Sequence, residues 1–119
     1  MFIYNNSNGN LSRNGKLIGI GYSGSGAGLN NPLMDGVVDV GPIPAGEYAI
    51  GDFYNDPEKG QLAAHLTPKP GTDTLGRGGF MIHGDNQEMN HTASHGCIIF
   101  THEIRVKMAF SGDEDLLVV

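Results

Sequence analysis

Cys97 is the only cysteine of the chain, and three of its five histidines, His83, His91 and His95, lie within the fourteen residues before it. Gly96 directly precedes Cys97, so only backbone crowds the sulfur on that side. Glycine also reaches positive φ, which lets consecutive amide N–H groups converge on one point. A developing oxyanion requires that arrangement beside its nucleophile. His83, fourteen positions upstream, is the candidate base. It would take the thiol proton and raise the thiolate fraction at neutral pH.

Two other readings of the cluster stand beside nucleophilic catalysis. The gap between His91 and His95, with Cys97 close behind, is compatible with zinc ligation. However, the stretch lacks the Cys-x-x-Cys or His-Glu-x-x-His spacing that makes such an assignment specific. A lone cysteine can also be an inert, buried packing residue. The residues favour the Cys–His nucleophile and leave the other two open.

Two apolar runs frame the cluster, Phe80-Met81-Ile82 and Ile98-Ile99-Phe100. Each reads as a short buried strand, with a polar loop between them. If the strands are neighbours in one sheet, the loop brings the His83 imidazole against the Cys97 thiol. Upstream, Arg77 sits in the Gly-rich loop Pro70 to Gly79. It is a candidate for bidentate binding of a substrate carboxylate, with a solvated surface arginine as the plain alternative.

Glycine makes up 19 of 119 residues, about 16% against a typical ~7%. It follows no repeat, so it implies many tight turns between short strands. Phe2-Ile3-Tyr4 reads as a strand, and Asn14-Gly15 is a strong hairpin signal leading into a strand over Lys16 to Tyr22. The glycines of that strand mark a bulge or a close backbone approach. Ser23 to Gly28 lacks the ending of a phosphate-binding loop and reads as a connection. Pro42 and Pro44 fix an extended entry to a strand over Glu47 to Ile50.

Asp52 to Gly60 reads as a loop or one helical turn. Gln61 to Thr67 reads as a strand, in which His65 is a partly buried structural histidine. Thr101 is a plausible N-cap for a helix from His102 to about Phe110, with His102 and Arg105 on its solvated side. Leu116 to Val119 would complete a sheet edge. The fold class is therefore mainly β, a sandwich or half-barrel of short strands with one short α-helix after Cys97. A single domain spans 1–119.

The net charge of −6, with no basic run, argues against nucleic acid and against docking on an anionic membrane. No apolar stretch approaches the length of a membrane span, so membrane insertion is not expected. The first residues carry no signal-peptide pattern. The chain is expected to be made in the cytoplasm, or to leave by a route that reads no such signal.

Ser94-His95-Gly96-Cys97, preceded by His83-Gly84, resembles the signature of the L,D-transpeptidases of the YkuD type. Pro42-Ile43-Pro44-Ala45-Gly46-Glu47-Tyr48 resembles a strand of the same family. The blocks Gly21-Tyr22-Ser23-Gly24, Gly76 to Asp85 and Ala93 to Ile99 together resemble the small L,D-transpeptidase-like toxins delivered by type VI secretion. The similarity covers most of residues 15 to 110. Wall-building members usually carry Arg or Asn shortly after the cysteine, where this chain has Ile98-Ile99, which favours the toxin-like branch. It also leaves open whether Arg77 or Arg105 takes over a carboxylate-binding role.

The resemblance implies peptidoglycan stem peptides as substrate and no cofactor or metal. The bond attacked would join the third residue of a stem tetrapeptide to its terminal D-Ala, giving carboxypeptidase or exchange activity through a thioester. Cys97 would be the nucleophile and His83 the base, with the Gly84 carbonyl holding its second nitrogen. Gly96 and Cys97 would supply oxyanion N–H groups. His95 and Ser94 would shape the turn and touch substrate, and Asp85 and Asn86 would bind amines or amides of the stem. A cognate immunity protein is the implied partner, and the periplasm of a target bacterium the implied place of action.

Overall fold

The structure, a computed structural model, describes residues 1–85, Ser94 and residues 96–119. Its strands are β1 (Phe2–Tyr4), β2 (Asn10–Arg13), β3 (Lys16–Ile20), β4 (Tyr22–Ser23), β5 (Gly46–Ile50), β6 (Tyr54–Asp56), β7 (Gly60–Pro68), β8 (Met81–His83), β9 (Ile98–Ile99) and β10 (Asp115–Val118). Among the described residues there is one α-helix, α1 (His102–Ser111), which follows Cys97. The protein is thus mainly β, as its glycine content and short apolar runs imply.

The strands form one sheet in the order β3-β2-β1-β10-β5-β7-β8-β9-β4, with β6 paired to β7. The two end strands are successive pieces of a single run, Lys16 to Ser23, so the sheet curls back on itself. Gly21 makes the break. A β-carbon there would stand 2.3 Å from the Ile99 carbonyl oxygen and 2.4 Å from the Phe100 ring. Only glycine lets the run pass from one end of the sheet to the other.

The hairpin between β2 and β3 turns at Asn14 (φ 53°) and Gly15 (φ 76°), the doubly left-handed turn that matches the twist of paired strands. Helix α1 starts at Thr101, whose side chain accepts from the Ile104 amide, and ends at Gly112 in the left-handed conformation. Ile104 and Met108 bury the inner stripe of α1 in the main core with Phe2, Tyr4, Tyr48, Phe80, Ile82, Ile98 and Phe100. Tyr4 meets Phe100, and Tyr48 meets Phe80, edge to face at 5.8 and 5.9 Å, the geometry aromatic quadrupoles prefer.

Four expectations need correction. Residues 54–56 form strand β6 rather than a loop, because Tyr54 pairs with Ala63 across a hairpin. Strand β10 is not a sheet edge. It runs between β1, in parallel, and β5, antiparallel, and its apolar residues fill the middle of the sheet. Arg105 is buried rather than solvated, and His65 is exposed rather than partly buried. Arg105 is drawn inward by the backbone carbonyls of Gln61, Leu62 and Phe100, and His65 lies outward against Tyr54.

Candidate active site

Strands β8 and β9 run parallel, with Ile82 opposite Ile98 and His83 opposite Ile99. One step back, Met81 faces Cys97. Successive side chains alternate between faces. Ile82 and Ile98 therefore enter the main core, while Met81, Cys97 and Ile99 lie on the other face with Tyr22 and Ala63. His83 shares that second face. His83 and Cys97 thus stand on one face of neighbouring strands, on the diagonal. Diagonal neighbours on one face stand roughly 7–8 Å apart, within reach of long side chains.

His83 Nδ1 lies 2.8 Å from the Gly84 carbonyl oxygen. A carbonyl can only accept, so Nδ1 carries the hydrogen and Nε2 is left as the basic nitrogen. Burial pushes the His83 pKa below the usual histidine value, and the Gly84 bond opposes this in part. Burial pushes the Cys97 thiol above the usual thiol value, against the amide of Met81 and the charges of Lys59 and Arg77. Burial thus favours the neutral form of both groups.

The turn before Cys97 is built on two buried serines. Ser94 Oγ accepts from the amides of Gly24 (2.9 Å) and Gly96 (3.2 Å) and donates to the Cys97 carbonyl (2.6 Å). Ser23 Oγ accepts from the Ile43 amide at 2.9 Å and donates toward the Gly96 carbonyl at 3.4 Å. Both side chains are fully enclosed, so the Ser94 hydroxyl serves the turn and faces no solvent.

Each of the two buried arginines, Arg77 and Arg105, grips backbone beside a key glycine. Arg77 donates to the carbonyls of Asp35 (2.5 Å), Pro42 (2.7 Å) and Gly41 (3.0 Å), and lies over the Phe80 ring. A β-carbon on Gly96, whose φ is +122°, would stand 2.5 Å from Arg77 Nη2. Arg105 donates to the carbonyls of Phe100 (3.2 Å) and Gln61 and abuts Gly84. A guanidinium fork suits clustered backbone carbonyls.

Two Tyr–Asp pairs flank the Cys–His diagonal. On one side Tyr22, which faces Ile99 across β4 and β9, donates to Asp85 at 2.6 Å. On the other, Tyr54 donates to Asp56, bonds His65 Nε2 at 2.9 Å and stacks on the His65 ring at 5.5 Å. The roles of Tyr22 and Ser23 are not apparent from residue type. Their sequence signal is the block Gly21-Tyr22-Ser23-Gly24. Tyr54 gives none, because its stretch reads as loop. Of the remaining candidates, Asn86, His91 and His95 lie outside the described residues, and the zinc reading rests on the latter two. Among the described residues, no group of three or more His, Cys, Asp or Glu side chains is placed to hold a metal ion.

A curled sheet of short strands that sets a histidine and a cysteine diagonally on one face defines a small, mainly β protein. A family model described as the Tlde1 domain matches residues 19–115, and the chain belongs to that family, which comprises type VI secretion effectors of L,D-transpeptidase type. No curated protein matches the chain.

Proposed function

We propose that this protein cleaves peptidoglycan stem tetrapeptides between the third residue and D-Ala, through a thioester on Cys97. The observation that carries the reading is the same-face diagonal of His83 and Cys97, with His83 Nδ1 on the Gly84 carbonyl. It supports Nε2 as the nitrogen that meets the thiol. Because burial favours the neutral form of both groups, the proton leaves sulfur for Nε2 as sulfur attacks, not before. The Sγ–C bond forms, and the carbonyl oxygen becomes an oxyanion.

Gly96 N–H is turned to Ser94 Oγ, so the Cys97 N–H is assigned to the oxyanion. The C–N bond then breaks, His83 returns its proton to the departing amine, and D-Ala leaves. Water on the thioester gives the tripeptide, and a free D-amino acid restores a tetrapeptide with a new fourth residue. Ser94 and Arg77 act as positioning residues for the turn that holds Cys97. Asp85, exposed beside Tyr22, is assigned to an amine or amide of the stem. His95 and Asn86 retain the roles that the family resemblance implies. Trimming removes the donor that conventional cross-linking needs, which suits an antibacterial effector acting in a target's periplasm. An immunity protein in the producer is the expected partner.

Mass spectrometry of muropeptides incubated with wild type and Cys97→Ala, with and without added D-amino acid, tests the reading. Loss or replacement of terminal D-Ala by wild type alone supports it. Untouched monomers and dimers in all samples overturn it in favour of a peptidoglycan-binding domain.

A further inference from the structure

The substrate of the proposed reaction ends in a free carboxylate, and both arginines near Cys97 and His83 are committed to backbone carbonyls. The chain has seven Lys and Arg residues in all. Arg13 pairs with Asp113, Lys69 with Asp115 and Lys107 with Glu103. Lys16 starts β3, six residues along the run from Tyr22, roughly 20 Å at strand rise. Lys59 is exposed, and among the described residues no carboxylate pairs with it.

Its place in the fold matches the direction of the reaction. His83 lies one strand over from Cys97 and two residues further along. The next step in the same direction reaches the start of β7, because Ala64 faces Ile82 and the register then sets Ala63 opposite His83. Lys59 immediately precedes β7, at the tip of the β6–β7 hairpin. The tip is held, since Asp56 Oδ1 accepts the amides of both Glu58 and Lys59 at 2.9 Å. The Lys59 charge is felt at both His83 and Cys97.

In the proposed reaction the departing amine receives its proton from His83. The carboxylate of that amino acid therefore lies beyond His83 as seen from Cys97, which is where the hairpin tip stands. We infer that Lys59 holds the carboxylate of the departing D-amino acid, and that of the incoming one in the exchange reaction. The inference rests on the reaction proposed above and adds the group that recognises its leaving group. A lysine can do this as a mobile point charge, without a fixed fork.

The test compares a stem tetrapeptide with its C-terminal amide, which lacks the carboxylate, on wild type, Lys59→Met and Lys59→Arg. Lys59→Met is expected to lower kcat/KM on the acid about tenfold, the scale of one partly screened charge-assisted contact. Lys59→Met and wild type should be equal on the amide, and Lys59→Arg should retain most of the acid activity. Equal kcat/KM of wild type and Lys59→Met on the acid, or equal losses on acid and amide, overturn the inference while leaving the reaction standing. A wild type inert on both substrates brings down the reaction reading and this inference with it.

Discussion

Arg105 Nη2 lies 2.6 Å from the point where a β-carbon on Gly84 would stand. This contact ties α1 to the strand that carries His83. Gly84 does not have positive φ, so glycine is required for space and not for backbone conformation. Gly84→Ala should push the guanidinium off the Phe100 and Gln61 carbonyls and destabilise the fold by about 1–3 kcal/mol. Urea unfolding would measure this. Arg105→Met removes the same carbonyl bonds, so the double variant should lose less than the sum of the two. Strict additivity would show that the contact does not couple the sites.

The burial of His83 and Cys97 sets an expected pH profile. The His83 pKa is lowered by burial, so its protonated form appears only below the usual histidine range. The Cys97 pKa is raised by burial, so free thiolate appears only above the usual thiol range. The profile of kcat/KM should therefore have a wide plateau, with its acid limb below the usual histidine range and its alkaline limb above the usual thiol range. Iodoacetamide labelling of the resting protein at pH 7 should be slower than that of a free thiol, and should rise only at alkaline pH. Fast labelling at neutral pH would instead indicate a resting thiolate–imidazolium pair. Stability follows the same signs. The histidine contribution is present above the unfolded histidine pKa and is lost as pH falls from there through the folded one, and the thiol contribution is present below the unfolded thiol pKa and is lost as pH rises from there through the folded one.

Ser94→Ala tests the turn. It strips one partner each from the Gly24 amide, the Gly96 amide and the Cys97 carbonyl at a fully enclosed site. Leaving buried polar groups bare costs about 1–3 kcal/mol each, with some relief by relaxation. A net loss of roughly 2–4 kcal/mol is expected in chemical denaturation, and the Gly96 N–H is released from its bond to Ser94. A Tm unchanged within a degree would contradict the assignment of Ser94 as the keystone of this turn.

The parts of this fold that sequence displays are the local ones. The turn at Asn14-Gly15, the Thr101 cap and the apolar runs around Cys97 each depend on residues within a few positions. The diagonal of His83 and Cys97 could be anticipated because both runs are short, buried and close in sequence. What sequence does not display depends on distant partners. Leu116 and Val118 look like any apolar terminus, and their central position comes from Phe2 and Tyr4 on one side and Tyr48 on the other. Arg105 has the residue type and helical position of a solvated group. It is buried because Gln61, Leu62 and Phe100 present carbonyls to it from two other segments. Tyr54 was hidden for a related reason, since β6 exists only through its pairing with β7.

Tyr54 offers the last prediction, which concerns the hairpin that presents Lys59. The Asp56 pKa is lowered from 3.8 to about 2, chiefly by the Tyr54 hydroxyl and then by the amides of Lys59 and Glu58. Tyr54→Phe removes the largest of these causes and keeps the ring that stacks on His65. The Asp56 carboxyl should then titrate nearer 3.8, which carbon-detected NMR of the labelled side chain would resolve. With its two amide bonds intact, Asp56 should still organise the tip, so the backbone shifts of Glu58 and Lys59 should change little at neutral pH. As pH falls, protonation should weaken the amide bonds earlier than in wild type, and the tip should loosen at a higher pH. An Asp56 titration unmoved by Tyr54→Phe would mean that the two amides alone hold the carboxylate ionised, and that the tyrosine's part is confined to stacking on His65.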